Sequence, residues 1–325
     1  MKALVCEAYG SVDDLVYRDM LDPVAGQGEV VVNIKGIGVN FPDGLLVEGK
    51  YQAKPECPFM PGGEFAGEVA ELGEGVSELA VGDRVLGYFP NFGAYAEKVS
   101  GPVESAFKIP DSMSFEHAAA LMCATGTAHH ALKQRAQLQP GETLVVLGAA
   151  GGTGIAAVQI GKAMGARVIA VCSTEEKIAF AKSQGADEGI NYAEQDLKQA
   201  IKDMTGGKGA DVVYDAVGGD AFDVCSRSMA WNGRLLIVGF ASGRIPELPV
   251  NLTLVKGYSV IGVFWGNFTQ KQPEDNAENM RELFQWFEEG KVVPVIDTVF
   301  KLKDGIQAIK KITGRDVIGK LVITP

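Results

Sequence analysis

The sequence predicts an α/β protein in two parts: a mostly antiparallel, barrel-like β domain, then a doubly wound parallel sheet. Three observations predict it. Short β-branched strands broken by Gly and Pro fill the first third. Strands alternate with helices through the middle, which is the mark of a parallel sheet. A strand, a glycine-rich turn and a helix follow one another around Gly148 to Ile155.

The elements follow in order. Residues 1–10 form a short alternating stretch with Lys2 and Glu7, read as a first strand and not a signal peptide, because no long apolar core follows. Strands are expected at 28–36, 64–72 and 81–86. From about residue 120 the pattern changes to a buried strand at 144–147, a helix at 155–163, a strand at 167–171 and a charged helix at 175–183. Further strands fall at 210–217 and 233–239, with a helical stretch between, and the last parallel strand at 258–264. The tail mixes again: a helix at 275–289 that Gly290 can stop, a strand at 292–300, a helix at 304–312 and a strand at 320–324. These tail segments are expected to return to the first domain. The domains are therefore 1–122 with 265–325, and 123–264.

Length and composition narrow the classes. A chain of 325 residues buries a large core without a disulfide or metal staple. The 30 Lys+Arg against 41 Asp+Glu leave a formal charge of −11, which repels a phosphate backbone and argues against broad nucleic-acid binding. Cys6, Cys57, Cys123, Cys172 and Cys225 are odd in number and widely spaced, so they read as reduced thiols of a reducing, cytoplasmic compartment. Residues 143–161 carry no charge and are long enough to span a bilayer, but their glycines and polar residues favour a strand, a turn and a helix over a membrane segment.

The sharpest motif is Gly148-Ala149-Ala150-Gly151-Gly152-Thr153-Gly154. Small residues let the backbone turn tightly, approach a pyrophosphate and pack helix on strand, while the helix N-terminus holds the anion. An NAD site usually places Asp or Glu at the tip of the second strand. Here that strand ends Val171-Cys172-Ser173-Thr174, with no acid. Ser173 and Glu176 form an expected capping box. Lys177 sits in the first helical turn, where the macrodipole disfavours a cation unless a bound 2′-phosphate offsets it. Tyr192 offers a hydroxyl to the same group. The expected cofactor is therefore NADPH rather than NADH.

Several motifs together resemble a known family. They are Gly38-Val-Asn40-Phe-Pro-Asp43, Gly49-Lys-Tyr51, Pro61-Gly-Gly-Glu64-Phe-Ala-Gly67, Val81-Gly-Asp-Arg-Val85, Ala124-Thr-Gly-Thr127-Ala128, the glycine turn, and 173–177 and 185–192 beyond it. The chain resembles, over nearly its whole length, the zinc-independent medium-chain dehydrogenase/reductases of the NADPH:quinone oxidoreductase (zeta-crystallin-like) type. The resemblance implies a GroES-like catalytic domain, split in sequence, around a Rossmann domain, with the cofactor in the cleft between them. It also implies a homodimer or homotetramer paired through the strand at 258–264. Zinc members carry a Cys and a Gly-His-Glu motif where this chain has Asn40-Phe-Pro-Asp43 and Gly62-Gly63-Glu64, so no metal is expected. His117, His129 and His130 are read as structural or surface residues; the last two are adjacent and point to different helix faces.

The same resemblance implies the site. Asn40, Asp43, Tyr51 and Thr127 lie near the nicotinamide, with Tyr51 and Asn40 orienting the acceptor oxygen and Thr127 on the carboxamide. Val217, Phe240, Ala241, Ser242, Val263, Phe264 and Trp265 line the cofactor at strand ends. Arg315 and Lys320 reach a phosphate. Phe264, Trp265 and Phe268 form an aromatic wall, or else pack in a core or dimer. The expected activity is hydride transfer from NADPH to a quinone, as in the NADPH:quinone reductases. Two alternatives stay open: reduction of an α,β-unsaturated carbonyl (enone, enal or enoyl-CoA), and a cofactor-binding protein of crystallin or RNA-binding type without enzymatic activity. A zinc alcohol dehydrogenase fits worst. The expected partner is a small-molecule acceptor, with no nucleic acid and no membrane.

Overall fold

The computed structural model describes residues 1–314 and 317–325. The chain divides into two compact units. Unit 1 comprises Met1–Ala124, Phe268–Glu288 and Pro294–Pro325; unit 2 comprises Thr125–Asn267 and Glu289–Val293.

Unit 1 begins with β1 (Lys2–Val5), paired antiparallel with β2 (Val16–Asp19). β3 (Glu29–Val39) leads through Asn40 into α1 (Phe41–Val47). β4 (Glu64–Leu72), β5 (Arg84–Tyr88), β6 (Lys98–Pro102) and β7 (Ala106–Lys108) precede α2 (Phe115–His130), which runs on past the boundary at residue 124. β3 pairs antiparallel with β4 and β6, and bulges between Val31 and Val32 and between Ile34 and Gly36 bend it. Its alternating Val30, Val32 and Ile34 join Phe65, Phe89 and Tyr95 in one core, with the Phe65 and Phe89 rings 4.6 Å apart. At Gly38 a Cβ would lie 2.1 Å from the Ala119 carbonyl and 2.2 Å from Glu64 Oε2, so only glycine lets α2 and β4 come this close to β3.

Unit 2 alternates strand and helix: β8 (Thr143–Leu147), α3 (Gly152–Ala163), β9 (Arg167–Cys172), α4 (Glu175–Ser183), β10 (Glu188–Asn191), α5 (Leu197–Met204), β11 (Ala210–Asp215), α6 (Gly219–Cys225), β12 (Met229–Ile237), α7 (Asn251–Lys256) and β13 (Ser259–Gly262). The strands form a parallel sheet in the order β10-β9-β8-β11-β12-β13. Its order reverses between β8 and β11, the topological switch point of a doubly wound fold. All five residues of β8 are buried, as a strand covered on both faces requires. The uncharged run at 143–161 is thus β8, the turn and most of α3. No helix among the described residues is long and apolar enough to cross a membrane.

α8 (Trp265–Lys271) leads back to unit 1, where α9 (Pro273–Glu288), β14 (Ile296–Lys301), α10 (Gly305–Thr313) and β15 (Lys320–Thr324) complete it. β15 lies between β14 and β3, in the order β14-β15-β3-β4-β5-β7, with β6 also on β3. Two segments of the tail differ from the expected division, residues 265–267 being the first. Residues 289–293 belong to unit 2, where Gln159 Nε2 donates to the Val293 carbonyl at 2.9 Å and Val293 N donates to Gln159 Oε1 at 3.2 Å.

Candidate functional site

The glycine turn sits at the carboxyl end of β8. Gly148 has φ +66°, which favours glycine, and its N–H donates to Val171 O of β9. Gly151 N donates back to Gly148 O at 3.0 Å, closing the turn. A Cβ on Gly154 would stand 2.2 Å from the Gly148 carbonyl, so α3 can pack on the turn only with glycine there. Gly151 is the N-cap and brings no side chain to the first turn of α3. The opening N–H groups of a helix have no intrahelical acceptor, and here no capping side chain covers them. That arrangement, with the chain pared to backbone, fits a pyrophosphate.

Other expected cofactor residues converge on this edge of unit 2. A Cβ on Gly148 would lie 3.1 Å from Val217 Cγ2, which places Val217 against the turn. Asp215, at the end of β11, is buried; its carboxylate accepts from Val217 N at 2.8 Å and Gly218 N at 2.7 Å. Burial raises its carboxyl and those two N–H groups oppose the shift. Ala241 N and Ser242 N donate to Ala216 O and Val217 O, so the segment after β12, with the exposed Phe240, is tied to the segment after β11. Val263 N donates to Ile237 O beside them. Trp265 is buried, and Gly126 leaves room for it: a Cβ there would come within 2.9 Å of its indole nitrogen, which also places Thr127 nearby.

At the end of β9 one expectation is corrected. The cap of α4 is Thr174, whose hydroxyl accepts from Lys177 N at 3.2 Å; Ser173 lies one residue ahead of the cap and makes no capping box. Lys177 still occupies the first turn, half-buried, with its charge close enough to Cys172 to favour the thiolate, though burial wins and raises that thiol. Tyr192 N donates to Cys172 O, which sets its half-exposed ring beside the tip of β9. No acidic residue stands at that tip.

Unit 1 holds a buried polar cluster of a different kind. Glu64 is fully buried on β4 and Lys320 is 4% exposed on β15. Lys320 Nζ donates to Glu64 Oε2 at 3.0 Å, Asn40 Oδ1 at 2.7 Å and Val39 O at 3.1 Å, which uses all three of its hydrogens. Lys320 therefore reaches no phosphate, contrary to expectation: its ammonium neutralises Glu64. Asn40 Nδ2 donates to Glu64 Oε2 at 2.8 Å and Gly38 O at 3.3 Å. Contrary to expectation, both amide hydrogens of Asn40 are committed inside the protein, which leaves none to donate to an acceptor oxygen. Glu64 Oε1 accepts from Cys123 N at 2.6 Å. The central part of Glu64 is not foreseen in the sequence; its place after two glycines, at the head of an apolar strand, is the signal that marks it.

Asp43 completes the cluster as the third residue of α1. Its Oδ2 accepts from Asn40 N at 2.8 Å and from Tyr95 OH at 3.0 Å. Burial pushes this carboxyl up to about 7, against the two bonds and the nearby Lys320 ammonium that pull it down. Tyr51, half-buried in the loop after α1, is pushed up to about 12 by burial, with the Cys123 thiol and Asp43 adding to it. Its phenol stays protonated at neutral pH and can donate. Arg315 lies outside the described residues.

A metal does not fit this cluster. Among the described residues no three His, Cys, Asp or Glu side chains converge, and the carboxylate next to Asn40 already carries a lysine counter-ion.

Known proteins resemble this chain over nearly its whole length. Residues 26–111 match the family described as alcohol dehydrogenase GroES-like domain, and residues 152–289 the one described as zinc-binding dehydrogenase. The chain is 41% identical over 325 residues to quinone oxidoreductase-like protein 2 homolog of Nematostella vectensis, covering 99% of this chain and 88% of that one. It is 33% identical to a 2-haloacrylate reductase of Burkholderia sp, over 99% and 98% of the two chains. The solved Escherichia coli quinone oxidoreductase, complexed with NADPH, superposes with a TM-score of 0.93 at 29% identity over 100% of both chains.

Proposed function

Since the chain belongs to the quinone oxidoreductase-like medium-chain dehydrogenase/reductases, an oxidoreductase family, we propose that it is an NADPH-dependent, zinc-independent reductase of quinones. The carrying observation is the β8–α3 turn with an acid-free β9 tip and Lys177 in the first turn of α4. Gly148 to Gly154 would hold the pyrophosphate, Lys177 and Tyr192 the 2′-phosphate, and Thr127 with Val263 the nicotinamide end. Bound there, NADPH supplies the hydride. The chain's own part is to bind, orient and exclude water. Tyr51, held protonated by its burial, donates to the oxygen on which negative charge develops. Asn40, clamped by Glu64 and Lys320, fixes the start of α1 and so the loop that bears Tyr51. Outside the catalytic site, the open edge of β13 would pair two copies of the chain, and the acceptor is a small molecule.

A second reading, reduction of an activated carbon–carbon double bond, is favoured by the likeness to a 2-haloacrylate reductase. NADPH consumption is measured with an ortho-quinone and with an enoyl-CoA side by side. Turnover of the quinone alone supports the proposal; turnover of the enoyl-CoA alone moves the activity to the second reading. In the same assay Lys177→Ala should weaken NADPH about tenfold or more, as loss of one charge-assisted contact does, with NADH nearly unchanged. Equal losses for both would remove the assignment of Lys177.

A further inference from the structure

Unit 2 contains a second cationic feature, far from the glycine turn. A cavity of about 260 Å³ is lined by Lys198, Lys202, Lys208, Arg227 and Lys256. Its apolar floor is Ile201 and Met229, both part of the unit 2 core. The lining includes no carboxylate. That is unexpected in a chain of formal charge −11, where five cations facing one hollow repel one another with nothing between them.

The positions are set by the fold. Lys198 and Lys202 stand four residues apart on α5, on one face, where like charges destabilise a helix. Lys208 lies in the loop of Gly206, Gly207 and Gly209 that leads to β11, and Gly209, with φ +88°, is forced by a Ser228 carbonyl only 2.5 Å from where its Cβ would be. Arg227 precedes β12, and Lys256 ends α7 just ahead of β13. All five therefore gather where β11, β12 and β13 begin. The glycine turn lies where β8 ends. The six residues of β11, at about 3.3 Å each, put the two edges roughly 20 Å apart.

None of the five makes an ion pair with a carboxylate of the described residues. Elsewhere in unit 2, Lys162, Arg167, Arg234 and Arg244 each hold one. Two acids on the helices α5 and α6 are otherwise engaged: Asp203 accepts from Gln199 Nε2 at 2.7 Å, and Asp223 pairs with Arg244, giving Arg227 only its backbone carbonyl. Close by, the buried Tyr258 hydroxyl has no hydrogen-bond partner among the described residues. Arg227 acts on it electrostatically.

We propose that this cavity is a second anion site, specific for a compact polyphosphate: an inorganic tri- or pyrophosphate, or the phosphate tail of a nucleotide. Its size falls below the range for drug-sized ligands, about 300–1,000 Å³, and its lysines act as point charges suited to phosphate oxygens. It is separate from the dinucleotide turn and does not depend on which acceptor the protein reduces.

The test is calorimetric titration of the full chain, saturated with NADP⁺, with sodium tripolyphosphate at about 0.15 M salt, where exposed charges are screened beyond about 8 Å. One ion should bind per chain with a Kd below about 1 mM. The exposed pair Lys202→Gln/Lys208→Gln should weaken it at least about fivefold while leaving the melting temperature and NADP⁺ affinity unchanged. ATP matching tripolyphosphate identifies a nucleotide tail as sufficient; ATP binding more weakly identifies the inorganic ion; either supports the site. No binding at about 10 mM, a loss below about fivefold, or displacement by NADP⁺ overturns it.

Discussion

Replacing Lys320 by Met tests the buried cluster of unit 1 directly. Met keeps the length and bulk of the side chain and removes only the ammonium. Three hydrogen bonds go with it, to Val39 O, Asn40 Oδ1 and Glu64 Oε2. Glu64 is 0% exposed, so its carboxylate is left in the protein interior with the Asn40 amide and the Cys123 N–H as its donors. Removing one partner of a buried pair costs about 3–5 kcal/mol, because the remaining charge is uncompensated. For a domain of roughly 150–250 residues each kcal/mol lowers Tm by about 2–4 °C, so the first thermal transition should fall by roughly 6–20 °C. Adding Glu64→Gln removes the orphaned charge as well, and the double variant should regain at least half of the loss. The assay is differential scanning calorimetry of the parent, both single variants and the double. A Lys320→Met melt within about 2 °C of the parent, or a double variant no more stable than Lys320→Met alone, would refute the argument that the ammonium is there to neutralise Glu64.

Other expectations follow from the same structure. Asp43, with a carboxyl raised to about 7 by burial, takes up a proton on folding, since an unfolded Asp titrates near 3.9. The folded state then binds more protons than the unfolded one across this window, so stability falls as pH rises from about 4 to 7 and the full cost of ionising Asp43 is present above it. Asp43→Asn should flatten that slope in urea unfolding at a series of pH values; parallel curves for parent and variant would show that Asp43 is already ionised. At the glycine turn, Gly151→Ala meets only an ordinary 3.5 Å contact with Gly148 O, so it should melt like the parent yet bind NADPH about tenfold or more weakly, a methyl now standing where the pyrophosphate must approach. Gly154→Ala places its methyl 2.2 Å from the same carbonyl and should lose roughly 1–3 kcal/mol of stability besides. Equal behaviour of the two variants in both measurements would contradict the division of labour within the turn.

The parallel sheet was readable because its signals are local. β8 is a continuous apolar run, the turn that follows needs small residues, and α4 was placed at 175–183, the bounds it has. The antiparallel part was less readable. β2, β6 and β7 have only three to five residues each, too short for alternation to stand out, and they owe their existence to pairing with β1, β3 and β5. Ser173 and Thr174 are both good caps, and the sequence does not say which one the helix will choose. Lys320 shows the deeper limit. A lysine in a terminal apolar strand invites the idea of a ligand, yet its true partners lie 256 and 280 residues away in sequence. The motif around Asn40 draws attention to that residue, but the groups that occupy its amide include Glu64 and Lys320, which no spacing rule reveals.

The separation of β3 from β15 also sets an order of events during synthesis. Residues 37–39 of β3 pair with 321–323 of β15, and between them the ribosome must make the whole of the parallel-sheet unit. At roughly 5–20 residues per second, about 15–55 s pass between the emergence of Asn40 and that of Lys320. Throughout that interval the Glu64 carboxylate has no cation to be buried with, and a stretch of β3 backbone offers unpaired hydrogen-bonding groups to any passing strand. Unit 2 is almost continuous in sequence and can fold on the nascent chain while unit 1 waits. The unit 1 sheet is therefore completed by the part of the chain that arrives last, and the charge that arrives with it is also the one that holds Asn40 in place.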